Sequence, residues 1–198
     1  RLVELIRSET TQEEFFKNAW GFALQLTRVP ISVKDTPGFL VNRVLRSYYL
    51  VAQQLAREGT SFLKIDGAVK RHGSVPMGPF ELMDFIGLDV NLAITRGIYE
   101  GLGKPKRLAP QPLQVALVQS GCRGCKSGKG FYIYSDDKRQ ENPEAVSLLP
   151  KKRKAMSPKE IWGKIMQAIC LEAEIVVEEG VSSAQDVDMA VRLAMNFP

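Results

Sequence analysis

The sequence predicts a mainly α-helical protein that opens with one β-α-β unit. Three observations predict this class. Two short apolar runs flank a helical stretch within residues 1–34, and apolar residues recur at helical spacing through much of the chain after Thr36. A long helix, a Glu-Gly pair and a further helical pattern also occur twice, which indicates a duplicated helical unit.

Composition and cysteine content narrow the class of protein. The chain has 198 residues, 44% hydrophobic and 25% charged, and no apolar run of membrane-spanning length. Its three cysteines, Cys122, Cys125 and Cys170, are too few for a secreted disulfide scaffold, so we expect a reducing, cytoplasmic setting. The net charge of +5 suits a phosphate-bearing ligand, and we expect neither nucleic acid nor a membrane as partner. We also expect a fragment of a longer protein.

Residues 1–34 predict strand, helix and strand. The strands are "LVELI" at 2–6 and "PISVK" at 30–34, and the helix between them has Thr11 and Glu14 in the spacing of a capping box. One such unit is a piece of a parallel sheet, and its strands need neighbours on both sides. Without them, the alternatives are disorder or pairing of the strand edges with another copy.

Residues 35–134 predict a helical unit. Thr36 fits the N-cap of its first helix, Pro37 fits the first helical position, and Gly59 fits the end. The later elements are helices at about 61–71, from Pro79, from after Asp89 to about Glu100 and within 113–121, and an extended piece at 129–134.

Residues 135–156 are charged and contain prolines, and we expect a linker whose basic run at 151–154 is a solvated face. Residues 157–198 then predict the start of a second helical unit. Ser157 fits its N-cap, with Pro158 first in the helix and Glu160 closing a capping box.

The two copies of the repeat are residues 42–69 and 163–191. In both, the Glu-Gly pair is followed by a spacer, a branched residue with Asp, and Ala-Val two residues later. Asn42 of the first copy stands where the second has Gly163. The fold of the unit therefore does not need an amide there, which favours a functional role for Asn42.

Five blocks in order carry a family resemblance: "RLVELIR", "PISVKDTPGFLVNRVL", "EGTSFLKID", "PMGPFELMDFIGLDV" and "SGKGFYIY". They resemble the L-3-hydroxyacyl-CoA dehydrogenases, the NAD-dependent enzymes of fatty-acid β-oxidation. The resemblance implies a helical domain of the 6-phosphogluconate-dehydrogenase C-terminal type, preceded by a β-α-β remnant of a Rossmann domain. It implies an acyl-CoA substrate, NAD bound by an N-terminal domain outside this chain, and a homo-oligomer or internal pseudo-dimer.

The same resemblance assigns the domains and two site residues. Residues 1–34 would end the NAD-binding domain, and 35–134 and 157–198 would be the first and second helical units. In the family a histidine takes the hydroxyl proton, and that residue lies outside this chain. Glu4 would orient the histidine as the catalytic carboxylate, and Asn42 would bond near the substrate oxygen. The alternatives are an ion pair of Glu4 with Arg7, and a polar helix-face position for Asn42.

Other patterns are weaker. The Cys122–Cys125 pair has metal-like spacing but lacks two further ligands, so we expect no metal. His72 fits a polar position at a helix end, and Met77 and Phe80 fit packing, with acyl-chain contact as the alternative. The loop glycines lack the strand-turn-helix context of a dinucleotide site, so we expect no cofactor-binding residue. The rival functions are another β-hydroxyacid dehydrogenase, typically with a lysine base, and a non-catalytic oligomerisation module.

Overall fold

The computed structural model describes residues 1–135, 138–151 and 155–195. The described chain is mainly helical and opens with a β-α-β unit, as predicted. No helix in these residues is long and apolar enough to cross a membrane. The elements are β1 (Leu2–Arg7), α1 (Glu13–Gln25), β2 (Val29–Lys34), α2 (Val41–Arg57), α3 (Phe62–Gly73), α4 (Pro79–Ile86), α5 (Leu88–Gly101), α6 (Pro112–Gln119), β3 (Tyr132–Ser135), β4 (Lys138–Glu141), α7 (Pro143–Ser147), α8 (Pro158–Glu178) and α9 (Ala184–Met195).

Strands β1 and β2 pair in parallel, with Glu4 opposite Ile31. The helix between them starts later than predicted, and the capping box of Thr11 and Glu14 is wrong. The N-cap is Gln12, whose side chain makes no cap bond, because the Thr11 hydroxyl instead accepts from the Ser8 amide at 3.0 Å.

The free edge of β2 is covered by the loop between α8 and α9 and by the first turn of α9. The Lys34 amide donates to the Val181 carbonyl at 2.8 Å, and the Ser182 hydroxyl donates to the Ser32 carbonyl at 2.7 Å. The Ser32 amide donates to the Asp186 carboxylate at 3.3 Å. This edge of the β-α-β unit is therefore hydrogen-bonded to its own chain. The sequence had suggested disorder or pairing with another copy as the alternatives.

The helical core is built around α2, with α8 packed along both α2 and α3. The two copies of the repeat therefore lie against each other. The approach of α3 to α8 is close, because a Cβ atom at Gly73 would come within 2.7 Å of the Trp162 ring. At the N-terminal end of α3, the rings of Phe62, Phe80 and Phe131 pack with centroids 4.7 to 5.3 Å apart.

The start of α2 differs from the prediction, whereas the start of α8 confirms it. Helix α2 begins at Val41, so Thr36 is not its N-cap; residues 37–40 form a turn in which Gly38 and Phe39 have positive φ angles. At α8 the Ser157 hydroxyl accepts from the Glu160 amide at 3.2 Å, and the Ser157 amide donates to the Glu160 carboxylate at 2.6 Å.

The segment at 135–156, expected as a linker, contains regular structure that packs on the first unit. It includes β4, which pairs with β3, and α7. Asn142 and Ala145 are buried, and the Asn142 amide donates to the Gly130 carbonyl at 2.7 Å. Of the basic run, residues 152–154 lie outside the described residues. The division into domains stays a prediction.

Candidate active site

Glu4 lies in the middle of β1 and reaches the start of α2. Its Oε1 atom accepts from the backbone amides of Leu40 at 2.9 Å and Val41 at 3.1 Å. A helix N-terminus has unpaired N–H groups and partial positive charge, so a carboxylate is a favourable cap there. Arg7, the alternative partner of Glu4, instead pairs with Glu13 and stacks over the Phe16 ring.

Asn42 follows directly after the two residues that Glu4 binds. Its side chain is exposed, and none of the bonds found in the described part of the chain uses its amide. Its backbone carbonyl accepts from Nε of Arg46 at 3.0 Å. The structure thus brings the two predicted site residues together at the first turn of α2, and leaves the Asn42 amide open to a ligand.

The turn before α2 is fixed by close packing against α5. A Cβ atom at Gly38 would lie 2.5 Å from Cδ1 of Ile98, and one at Gly101 would lie 2.5 Å from the Pro37 ring. The "PGF" motif therefore has a positioning role, since glycine at 38 permits both the positive φ and the close approach.

Two buried arginines hold the first turn of α2 from inside. Arg46 donates to the carbonyls of Asn42 and Asn91 and to the Thr95 hydroxyl, and burial lowers its pKa to about 10. Arg43 is fully buried and bonds to Glu172 at 2.8 Å and Glu179 at 2.7 Å.

The contacts of Arg43 could not be predicted from the sequence, because its partners Glu172 and Glu179 lie 129 and 136 residues away. Burial alone would lower the pKa of Arg43, but the bonds to Glu179 and Glu172 outweigh burial, and the pKa is raised. The same contact with Arg43 lowers the pKa of Glu179. The contact between Arg43 and Glu179 therefore favours the charged form of both groups in the folded protein.

A buried carboxylate joins the "LKID" motif to the "PMGPFE" motif. Asp66 accepts from the amides of Phe80 at 3.0 Å and Glu81 at 3.1 Å, and from the Tyr132 hydroxyl at 2.7 Å. Burial raises the pKa of Asp66 to about 7 despite these bonds. Phe80 is fully buried in the aromatic cluster, which agrees with the packing interpretation of that residue.

A second buried carboxylate joins α4 to the "GFY" motif. Asp84 accepts from the amides of Phe131 at 2.9 Å and Tyr132 at 3.0 Å, and from the Tyr134 hydroxyl at 2.9 Å. Burial raises its pKa to about 6. The motifs on which the resemblance rests are therefore joined by hydrogen bonds to two buried aspartates. An aspartate within an apolar helical stripe is the sequence signal that could have predicted these contacts.

The remaining candidates stay apart from this site. Cys122 is buried and donates to the Glu144 carboxylate at 3.4 Å, whereas Cys125 is exposed. His72 lies exposed in the last turn of α3. Among the described residues, no three His, Cys, Asp or Glu side chains are grouped to hold a metal.

Comparison with known proteins decides the family. The family model for the 3-hydroxyacyl-CoA dehydrogenase C-terminal domain matches residues 38–134. Residues 38–134 thus form a 3-hydroxyacyl-CoA dehydrogenase C-terminal domain. The fatty acid oxidation complex subunit alpha of Pseudomonas syringae pv. tomato is 33% identical over 206 residues, covering all of this chain and 28% of that protein. The chain thus spans less than a third of this curated relative.

Solved structures agree in fold. The 3-hydroxybutyryl-CoA dehydrogenase of Escherichia coli covers all of this chain and 58% of its own, with a TM-score of 0.80 and 24% identity. The (S)-3-hydroxybutyryl-CoA dehydrogenase PaaH1 of Ralstonia eutropha covers 68% of this chain and 48% of its own, with a TM-score of 0.62 and 35% identity. The family and the fold class predicted from the sequence are confirmed.

Proposed function

We propose that this chain is part of an NAD-dependent 3-hydroxyacyl-CoA dehydrogenase that oxidises L-3-hydroxyacyl-CoA to 3-ketoacyl-CoA in fatty-acid β-oxidation. The observation that carries the proposal is the pair of bonds from Leu40 and Val41 to Glu4, because it joins a strand carboxylate to the helix turn that bears Asn42. The names of the relatives, a fatty acid oxidation complex subunit and a 3-hydroxybutyryl-CoA dehydrogenase, support the substrate class.

Glu4 has two roles in this proposal. Both bonds found for its carboxylate end on Oε1, so Oε2 is left to accept from a protonated base. A carboxylate in that position orients an imidazole and stabilises its charged form while the substrate hydroxyl loses its proton. The resemblance assigns the base to a histidine outside this chain.

Asn42 would bind the substrate oxygen. An exposed amide offers two N–H donors and one carbonyl acceptor, so it can bond to the hydroxyl of the alcohol and to the carbonyl of the ketone. Its backbone carbonyl accepts from Arg46, and the two preceding amides, of Leu40 and Val41, donate to Glu4. Asn42 is thus proposed as a catalytic residue whose side-chain amide is available to bind the substrate.

NAD does not fit the residues of this chain. A dinucleotide site needs a glycine-rich turn between a strand and a helix. Gly101 is the last residue of helix α5 and Gly103 follows it, whereas Gly128 and Gly130 adjoin a 3₁₀ turn. We propose that NAD binds to a part of the protein outside these 198 residues.

The helical units would close the substrate cleft and form an internal pseudo-dimer. The packing of α8 along α2 and α3 supports this arrangement, since it pairs the two copies of the repeat within one chain. An acyl-CoA substrate, a homo-oligomeric alternative and a cytoplasmic location are part of the same proposal.

The first rival is less consistent with the sequence of α2. A β-hydroxyacid dehydrogenase with a lysine base would need that lysine on the matching helix, and α2 from Val41 to Arg57 contains none. The second rival, a non-catalytic oligomerisation module, is distinguished from the dehydrogenase by the activity test below.

The test uses the full-length protein and follows NADH oxidation with acetoacetyl-CoA. Glu4→Gln keeps an oxygen for the α2 amides and removes only the charge, and Asn42→Ala removes the exposed amide. We expect Glu4→Gln to lower kcat by about two orders of magnitude, a typical loss in general-base catalysis. We expect a similar factor for Asn42→Ala, the size of loss when one hydrogen-bond donor to a reacting oxygen is removed. The controls are Glu9→Gln, an exposed carboxylate after β1, and Gln54→Ala, exposed on α2.

The outcomes separate the functions. Loss in both variants with normal controls supports the dehydrogenase and both roles. A folded wild-type protein that is inactive with CoA esters of every chain length would support the oligomerisation module. If the wild type is active and both variants are unaffected, the proposed reaction stands, but the proposed roles of Glu4 and Asn42 are wrong.

A further inference from the structure

The duplicated units differ where the proposed active site lies. The first copy has Asn42 and Arg43, and the second has Gly163 and Lys164, which is exposed. Conversely, Glu172 of the second copy stands where the first copy has Val51. The first copy therefore carries the proposed site residue and a buried arginine, whereas the second carries a buried carboxylate that binds this arginine.

Glu172 is almost fully buried and is held by two arginines. Its Oε1 accepts from Nε of Arg43 at 2.8 Å, and its Oε2 accepts from Nε of Arg107 at 2.6 Å. Arg107 also donates to Oε1 through Nη2 at 3.2 Å. Glu179, the C-cap residue of α8, accepts from Nη1 of Arg43 at 2.7 Å and is about half exposed.

Arg43 depends on these two carboxylates. Its Nη2 atom is buried and has no acceptor in the part of the chain that the structure describes. Every bond found there for the guanidinium thus goes to α8 or to its C-cap. Buried charged groups are strongly sensitive to loss of a partner, so the position of Arg43 is tied to α8.

Arg43 belongs to the turn that the proposed site uses. It follows Asn42, and the Glu4 carboxylate binds the amides of Leu40 and Val41 just before it. A shift of Arg43 would therefore move the Asn42 amide relative to Glu4. Displacements of about 1 Å between reacting groups lower turnover by about 10²-fold.

We propose that the second helical unit positions the active site of the first, with Glu172 and Glu179 as positioning residues that act through Arg43. The proposal rests on the proposed function for its catalytic consequence. Its structural content, a coupling from α8 to the first turn of α2, stands independently of the reaction.

The first measurement is amide hydrogen exchange on the full-length protein. Glu172→Gln removes the buried charge, and Glu179→Gln removes only the half-exposed partner, so the second variant answers the question if the first does not fold. We expect the amides of Leu40 and Val41 to exchange about tenfold faster in each, the size set by loss of one charged hydrogen bond. The Tyr132 amide, bonded to Asp84, should not change.

The matched control is Glu174→Gln, which makes the same chemical change on an exposed position of α8. It should leave all three amides unchanged. Equal acceleration at Leu40, Val41 and Tyr132 would show general destabilisation and overturn the proposal. Unchanged exchange at Leu40 and Val41 in Glu179→Gln would also overturn it.

The second measurement determines kcat and KM separately in the full-length protein. We expect Glu172→Gln to lower kcat by about 10²-fold with KM changed less than about threefold, since misplacement of the reacting groups affects the chemical step. A raised KM with unchanged kcat would overturn the positioning role. If the protein has no dehydrogenase activity, the exchange result still decides whether α8 holds the first turn of α2, so the two proposals fail separately.

Discussion

Removal of the Tyr132 hydroxyl isolates one bond at the junction of three motifs. In Tyr132→Phe the buried ring and its contact with the Arg139 guanidinium remain, and only the oxygen that donates to Asp66 at 2.7 Å is lost. The ring is fully buried, so no water replaces the donor. Asp66 keeps the two amides of Phe80 and Glu81.

The magnitude depends on the charge of Asp66. A hydrogen bond to a charged group contributes about 1.5–3 kcal/mol, and a neutral one contributes about 1 kcal/mol. Burial raises the pKa of Asp66 from 3.8 to about 7, so the folded protein retains a proton on Asp66 between about pH 4 and 7 that the unfolded chain has lost. The stability contributed by this raised pKa is present at low pH and is lost as the pH rises through about 7.

Loss of the hydroxyl should therefore be costlier at high pH. The hydroxyl lowers the pKa of Asp66 by stabilising its charged form, so its removal raises that pKa further. We expect Tyr132→Phe to lower the free energy of unfolding by about 1 kcal/mol at pH 5 and by about 1.5–3 kcal/mol at pH 8.

Urea unfolding followed by circular dichroism at the two pH values measures this difference. The control is Tyr99→Phe, at a half-buried residue whose hydroxyl makes no bond found in the described part of the chain; its effect should be near zero at both pH values. An equal loss at pH 5 and pH 8 for Tyr132→Phe would refute the coupling to Asp66. A loss below about 0.5 kcal/mol at pH 8 would refute the bond itself.

Two further substitutions test local features. Gly130→Ala should destabilise by about 3 kcal/mol in urea unfolding, because its Cβ would meet the Asp84 carboxylate, whereas Gly97→Ala, with nothing within 4 Å, should be neutral or stabilising. Similar values for both would contradict the close approach. Ser157→Ala should cost about 1 kcal/mol through loss of the capping box of α8, and a change near zero by the same method would argue against it.

The start of α8 was predictable and the start of α2 was not, for a physical reason. Ser157 and Glu160 are three residues apart, so the whole cap is present in a short stretch of sequence. The cap of α2 is the Glu4 carboxylate, 36 residues before Leu40. Thr36 has a suitable side chain, but the "PGF" turn intervenes and the helix begins five residues later.

Only the two proposed site residues, Glu4 and Asn42, were predictable, from the family resemblance and from the comparison of the two repeat copies. The exchange of Asn42 for Gly163 between the copies is a sequence observation, and it drew attention to the amide. The contacts of Arg43 with Glu172 were not predictable, since they join residues 129 apart across two units. A buried arginine and an exposed one look alike in a helical pattern until the packing partner is known.

The segment that covers the edge of β2, formed by the loop between α8 and α9 and the first turn of α9, has a consequence for synthesis of the chain. Ser32 bonds to Asp186, 154 residues later. At about 5–20 residues per second, the ribosome makes the second partner roughly 8–30 s after the first. During that interval the outer edge of β2 has unpaired amide and carbonyl groups, which is the state in which strand edges pair with other chains. The newly made chain is therefore most exposed to aggregation before α8 and α9 emerge, and chaperone dependence should be concentrated in this window.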